Sequence, residues 1–266
     1  MQVAVVTGAN QGLGYSICKR LAETQRYSII LTGRRADACK QAAQSLAAET
    51  GNSSIQSRQL DITSSDSIND FTTWLDSTFT SGINVLVNNA SIAFDPSAFS
   101  ADECASTMAV NLEGTVNITE ALKHRMPPIG SSERASIVIV SSGGSLSGEA
   151  EQMLQNARSG QDLINIGDHF VQSIRDGTFK QRGFPKAMMP VSKQLENVYA
   201  QLLGDELRDR NVFVAAVHPG SVRSKMSNFK GSQSPYTAAE GPAMLACNPL
   251  SPAQSGSYFM GTKQVG

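Results

Sequence analysis

Short runs of β-branched and aliphatic residues recur along the chain, at Val3–Val6, Ser28–Leu31, Ile55–Leu60, Val85–Val87, Ile137–Val140 and Val212–Val217. Most are continuous rather than alternating, which is the pattern of parallel strands covered on both faces. Longer amphipathic stretches separate them: Tyr15–Glu23, Ala36–Ala48, Ser67–Phe79 and Lys193–Arg208, the last with Leu195, Val198, Leu202 and Leu203 on one face. This alternation predicts an α/β fold, a doubly wound parallel sheet in a single domain spanning residues 1–266. One stretch breaks the rhythm. Between the run ending at Val140 and the helix near Lys193 lie about 50 residues, far more than a strand–helix connection needs. They hold Gly143, Gly144 and Gly148, a helical pattern from about Asp162 to Arg175, and Gly183-Phe184-Pro185. The expectation is an insertion, about 143–186, packed over the carboxyl ends of the strands and forming part of a substrate pocket. The segment Met226–Gly241, rich in Ser, Gly and Pro, reads as a mobile lid.

Composition narrows the partners. Twenty-two Lys and Arg balance 23 Asp and Glu, a net charge of −1, which gives no electrostatic reason to expect nucleic acid or an anionic membrane. No apolar run reaches the roughly 18 residues of a membrane span. The chain enters Val3–Val6 without a basic leader, so no secretory signal is expected. Cys18, Cys39, Cys104 and Cys247 form no CxxC pair, and His124, His169 and His218 stand at no metal-ligand spacing. Reduced, buried thiols, no metal and a cytoplasmic location are the expectation.

The chemistry begins at Thr7-Gly8-Ala9-Asn10-Gln11-Gly12-Leu13-Gly14, which follows the first strand and opens the first helix. That is the setting of a dinucleotide fingerprint. Gly8 permits a tight turn, Gly12 lets backbone approach a pyrophosphate, Gly14 lets helix pack on sheet, and the helix N-terminus faces the phosphates. The alternative is a structural glycine loop. The second strand ends in Gly33-Arg34-Arg35 where an acid would select NAD. Arg34 suits a 2′-phosphate, so NADP(H) is the cofactor expected of this Rossmann-like domain.

The eight-residue TGxxxGxG spacing resembles the short-chain dehydrogenase/reductase family. Further matches follow in family order: Asp61 in Leu-Asp-Ile, Asn88-Asn89-Ala90, Asn111, Ser141-Ser142, Lys193 and Pro219-Gly220. The segment Leu86–Phe94 and the long insertion are most similar to the carbonyl-reductase branch. The resemblance implies that Asp61 and Ile62 flank an adenine, that Asn89 and Ala90 line the cofactor cleft, and that Asn111 holds a bulged helix and a water. It implies that Lys193 holds the ribose and that Pro219, Gly220 and Val222 meet the nicotinamide end. Read singly, Asp61 could cap a helix, Asn88-Asn89 form a turn and Pro219-Gly220 end a strand. Oligomeric state stays open: helices before Arg125 and after Lys193 form interfaces in tetrameric members, whereas the insertion blocks one of them in carbonyl reductases. A homo-oligomer is one outcome.

The family's catalytic pattern is Tyr-x-x-x-Lys, the Tyr acting as general acid. Here the segment reads Met189-Pro190-Val191-Ser192-Lys193, so the resemblance places Met189 where the Tyr would stand. Tyr15-Ser16-Ile17-Cys18-Lys19 also spells the pattern, but on the first helix beside the phosphate loop, where it reaches no nicotinamide. Loss of a positioned acid removes on the order of 10²–10⁴ in rate from a reaction that needs a proton. Another group could be the acid, the substrate could need none, or the chain could have ceased to be a reductase. A ketone accepting hydride becomes an alkoxide and needs a donor. An iminium cation becomes a neutral amine and needs none; a nearby carboxylate would stabilise it. Of Glu149, Glu151, Asp162, Asp168 and Asp176 in the insertion, Asp168 is the candidate because apolar residues follow it. Ser142 could bind a substrate carbonyl or amide, or simply begin a turn, and Met188, Met189 and Pro190 suit a bulky hydrophobic small molecule.

This departure resembles a narrower group, fungal NADPH-dependent reductases of bicyclo-diazaoctane indole alkaloid assembly that guide a Diels–Alder cyclisation. The sequence reading is therefore NADPH-dependent reduction of an iminium centre in alkaloid metabolism, with Ser142, Lys193, Asp168 and Asn111 as catalytic residues. A carbonyl reductase with a substitute proton donor and a non-catalytic NADPH-binding sensor are the alternatives.

Overall fold

The computed structural model describes residues 1–95, 97–128 and 131–265. Eight strands form one sheet in the order β3-β2-β1-β4-β5-β6-β7-β8. They are β1 (Gln2–Val6), β2 (Tyr27–Gly33), β3 (Ile55–Gln59), β4 (Val85–Asn88), β5 (Ala135–Val140), β6 (Val212–His218), β7 (Ser257–Met260) and β8 (Lys263–Gln264). All pairings are parallel up to β7, and β8 returns antiparallel as Phe259 pairs with Gln264. The continuous apolar runs are explained by two separate cores. Along β1, Val3 and Val5 enter one core while Ala4 and Val6 enter the other. Along β6, Val212, Val214 and Ala216 face the first core, and Phe213, Ala215 and Val217 the second. Strands buried on both faces lose the alternation that one-sided sheets show. β7 and β8 were not among the expected strands. At four and two residues, one mixed in polarity, they carry too little pattern to stand out.

The second core is covered by α1 (Gly12–Glu23), α2 (Ala36–Thr50), α9 (Pro235–Ala238) and α10 (Glu240–Cys247). The first is covered by α3 (Ser65–Thr78), α4 (Ala101–Thr107), α5 (Gly114–Lys123), α6 (Gly148–Asn156), α7 (Gly160–Arg175) and α8 (Met188–Glu206). Between α4 and α5 the chain widens into a π-helical segment, Met108–Glu113, which contains Asn111. No described helix is long and apolar enough to cross a membrane.

The insertion departs from expectation in its place. It carries two helices: α7 packs against α4, the π-helical segment and α8 rather than over the strand ends, and α6 packs against α7. The cause lies in α7, whose stripe of Leu163, Ile166, Phe170 and Val171 is buried in the first core beside Phe99, Phe179 and Phe184. An amphipathic helix must bury such a stripe, and the flank of the helical layer is the apolar surface available to it. The Met226–Gly241 segment is likewise built rather than plain loop. It begins in a 3₁₀ turn, Lys225–Ser227, and ends in α9 and the start of α10.

Candidate active site

A cleft of about 620 Å³ opens where the carboxyl ends of β1, β2, β4, β5 and β6 meet. This is the position at which an open α/β sheet binds ligands. On one side lies the loop from β1 to α1. Gly8 and Gly12 both have φ of +61°, and nothing stands within 4 Å of where a Cβ on Gly12 would project, so the backbone there is open to a ligand. A Cβ on Gly14 would collide with the Asn89 side-chain amide. That amide donates to Thr7 O at 2.9 Å and Gly8 O at 3.1 Å, and Thr7 Oγ1 accepts from the backbone N–H groups of Asn89 and Ala90, each at 3.0 Å. The glycine loop and the end of β4 are thereby one rigid wall. Gln11 caps α1 without a side-chain bond, and the first turn carries no acid. Free N–H groups and the positive helix end therefore face the cleft, as a phosphate requires.

Beyond the loop, Arg34 is exposed at the end of β2 and lines the cleft with Asp61 and Ile62. Asp61 Oδ1 accepts from Thr63 N at 3.0 Å and Thr63 Oγ1 at 2.7 Å, which fixes the turn after β3. At the other end, Pro219, Gly220 and Val222 line the wall after β6. Val222 pairs with Gln233 in an isolated bridge, and Arg223 N donates to Gln233 O at 2.8 Å. Residues 223–232 thus form a strap closed at its base, from which Met226 and Phe229 reach the rim. His218 Nδ1 accepts from Gly220 N at 2.9 Å, and burial lowers the pKa of this histidine.

The centre of the cleft is built by β5, the π-helical segment and α8. Ser141 points back into the fold, donating to Lys193 O at 3.1 Å, while Ser142 lines the cleft and its carbonyl accepts from Asn197 Nδ2 at 3.0 Å. Asn111 is fully buried and joins three elements. Its Oδ1 accepts from Ile92 N at 2.9 Å, and its Nδ2 donates to Ile92 O at 3.1 Å and Ser192 Oγ at 3.2 Å, with Met189 Sδ at 3.4 Å. Lys193 Nζ donates to Val140 O at 2.9 Å. Met189, four residues earlier on the first turn of α8, lines the cleft beside it. None of the five tyrosines is among the lining residues. Tyr15, in the first turn of α1, instead donates to Glu49 in the last turn of α2.

The structure brings every residue expected at the cofactor into this one cleft: Gly8, Asn10, Gln11, Gly12, Leu13, Gly14, Arg34, Asp61, Ile62, Asn89, Ala90, Lys193, Pro219, Gly220 and Val222. Ser142 joins them, and Asn111 stands directly behind. Asp168 does not. It is exposed on the outer face of α7, in a separate groove with Glu113, Gln172 and Arg175, because the apolar stripe of that helix turns the opposite face inward. No residue of the insertion, 143–186, is among those that line this cleft. The lid expected at Met226–Gly241 overlaps the strap, whereas two residues went unnoticed in the sequence as parts of the site, His218 and Glu196. The last was detectable as an acid one turn past Lys193, among residues that face the core. Among the described residues no group of three His, Cys, Asp or Glu is placed to hold a metal ion.

The family model for short chain dehydrogenase matches residues 2–156. The chain is 31% identical to rat (Rattus norvegicus) carbonyl reductase [NADPH] 1, over 99% of this chain and 97% of the relative. It is 30% identical to the human (Homo sapiens) carbonyl reductase [NADPH] 1, covering 100% and 98%. The chain belongs to the short-chain dehydrogenase family. It is an oxidoreductase of that type. Its fold is similar to that of salutaridine reductase from Papaver somniferum, with a TM-score of 0.84 at 22% identity, covering 98% and 99% of the two chains. Menthone neomenthol reductase from Mentha piperita gives 0.77 at 22% identity, covering 97% and 98%. The open backbone at Gly12 and the free N–H groups that open α1 fit the NADP(H) of this family.

Proposed function

We propose that this protein is an NADP(H)-dependent reductase that delivers hydride to a cationic C=N centre of a bulky apolar substrate, without a tyrosine acid. The observation that carries the reading is the thioether of Met189 in the cleft, four residues before Lys193, with no tyrosine among the lining residues. When bound, NADPH supplies the hydride. Gly12 and the first turn of α1 would receive the pyrophosphate, Arg34 the 2′-phosphate and Lys193 the ribose.

On the substrate side, Met189, Val110, Ile92, Met226 and Phe229 offer apolar and adaptable contact. A thioether donates no proton. For an iminium none is needed, since the nitrogen takes the C=N electron pair and leaves as a neutral amine. The same walls could hold such an intermediate in a cyclising conformation, by shape rather than acid–base work. That extends the proposal to coupled [4+2] cyclisation in alkaloid-type metabolism of the cytoplasm. Similarity to carbonyl reductases favours a second reading, ketone reduction with Ser142, Lys193 or a water as donor. The intact nicotinamide end and the open cleft support an enzyme over a sensor. Deuteride transfer from 4-deuterated NADPH separates these readings. Label in the amine formed from a bulky cyclic iminium, with none in the alcohol from the matching ketone, is the expected result; label in the alcohol alone would overturn the proposal.

A further inference from the structure

Among the described residues Glu196 is the only buried carboxylate. Its side chain is 1% exposed and lies one turn beyond Lys193 on α8, with Oε2 2.8 Å from Lys193 Nζ, whose side chain is 4% exposed. That oxygen has no well-directed hydrogen-bond donor, so the opposite charge rather than a polar cage holds it. Burial raises the Glu196 carboxyl pKa, and Lys193 and the Ser141 hydroxyl pull it back. Other elements near α8 bring no charge to bear on it. β6 carries His218 and β7 carries Tyr258, Glu113 and Asp168 are exposed, and Glu120 and Lys123 of α5 meet α8 further on, at Tyr199 and Glu206.

The cleft is lined by Arg34, Lys193, Arg223 and Lys225 with Asp61 as its acid. Of these cations Lys193 sits on the helix that carries Met189 and against the end of the strand that leads to Ser142. An uncompensated ammonium there would repel a cationic substrate. A neutral thioether at Met189 offers it no counter-charge. We propose that Glu196 is a positioning residue that cancels the charge of Lys193 where substrate sits, so that the cleft admits a cationic C=N group. This rests on the substrate reading above, and it gives Glu196 the electrostatic part that the sequence reading assigned to Asp168.

Binding, rather than turnover, tests it. With 1,4,5,6-tetrahydro-NADP, a reduced cofactor analogue that gives up no hydride, calorimetry at pH 8 compares N-methyl-3,4-dihydroisoquinolinium with the neutral ketone 1-tetralone. Glu196→Gln should weaken the cation about tenfold or more relative to the ketone, while the anionic cofactor analogue binds no more weakly. Lys193→Met should leave the ratio near that of the wild type, because the buried Glu196 carboxyl, no longer pulled down by the ammonium, takes up its proton, and the Lys193→Met/Glu196→Gln double variant should return the ratio to within about twofold of wild type, because both charges are gone. If Glu196→Gln does not fold, Glu196→Met takes its place in both comparisons. Equal loss of cation and ketone in Glu196→Gln, an unchanged ratio there, or a double variant as weak for the cation as Glu196→Gln, would overturn the proposal. These ratios do not depend on catalysis. A wild type that reduces no iminium would sink the substrate reading and leave the role of Glu196 separately readable.

Discussion

Replacing Met189 with tyrosine should create ketone reduction. Met189 is half-buried on the first turn of α8, and its sulfur touches the Asn111 amide at 3.4 Å. A phenol there would stand one helical turn from Lys193 and enter the cleft that Ser142 lines. A positioned acid contributes about 10²–10⁴ in rate. The gain here should lie near the lower end. Lys193 is already engaged by Val140 O and Glu196, so it lowers the phenol pKa less than an unpaired ammonium would. The expected result is a rise of about 10² in kcat/KM for 1-tetralone, read as NADPH oxidation. A second step upward is expected in Met189→Tyr/Glu196→Gln, where the lysine charge is freed. Cofactor affinity, followed by NADPH fluorescence, serves as the control for folding. A variant that binds NADPH normally yet gains less than about threefold on every ketone would refute the claim that the missing acid limits this chemistry.

Three further outcomes follow from the geometry. Arg34→Ala should weaken NADPH about 10- to 100-fold while leaving NADH within about twofold, since a charge-assisted contact to the 2′-phosphate is what it removes; equal losses for both cofactors would place the guanidinium elsewhere. Asp168→Asn should leave turnover within about twofold, because the carboxylate is exposed on the far face of α7; a tenfold fall in kcat would show that α7 turns toward the cleft. The Glu196 carboxyl is pushed by burial from 4.5 up to about 7, against the pull of Lys193. A folded-state value above the unfolded one gives stability that is present below about pH 4.5 and lost as pH rises through about 7. The Tm of the wild type should therefore fall across that window relative to Glu196→Gln and run parallel to it above. Parallel curves throughout would show that Glu196 does not titrate in the folded protein.

Much of the cofactor cleft was legible because each part is local to a strand end. The glycine loop follows β1, Arg34 follows β2, Asp61 follows β3, Asn89 follows β4 and Pro219 follows β6. Once the order of parallel strands is known, these ends must converge. What was not legible is what depends on how helices lie on one another. Asp168 was chosen for the apolar residues after it, yet those same residues, with Leu163 and Ile166, define a stripe that puts Asp168 outside. The periodicity held the answer, while the surface that would cover it belonged to α4, the π-helical segment and α8. Glu196 was hidden for the opposite reason, an acid on a face that faces the core, readable only beside Lys193. The strap over residues 223–232 owes its form to backbone bonds between Ser221, Arg223 and Gln233, which no side-chain pattern announces.

The central claim is that the cleft reduces a cationic centre without an acid. The measurement closest to it is kcat/KM with NADPH for N-methyl-3,4-dihydroisoquinolinium against 1-tetralone, two bicyclic substrates of similar size that differ in the need for a proton. The account predicts turnover of the iminium and a rate for the ketone lower by about 10² or more. Comparable rates for the two, or reduction of the ketone alone, would contradict it.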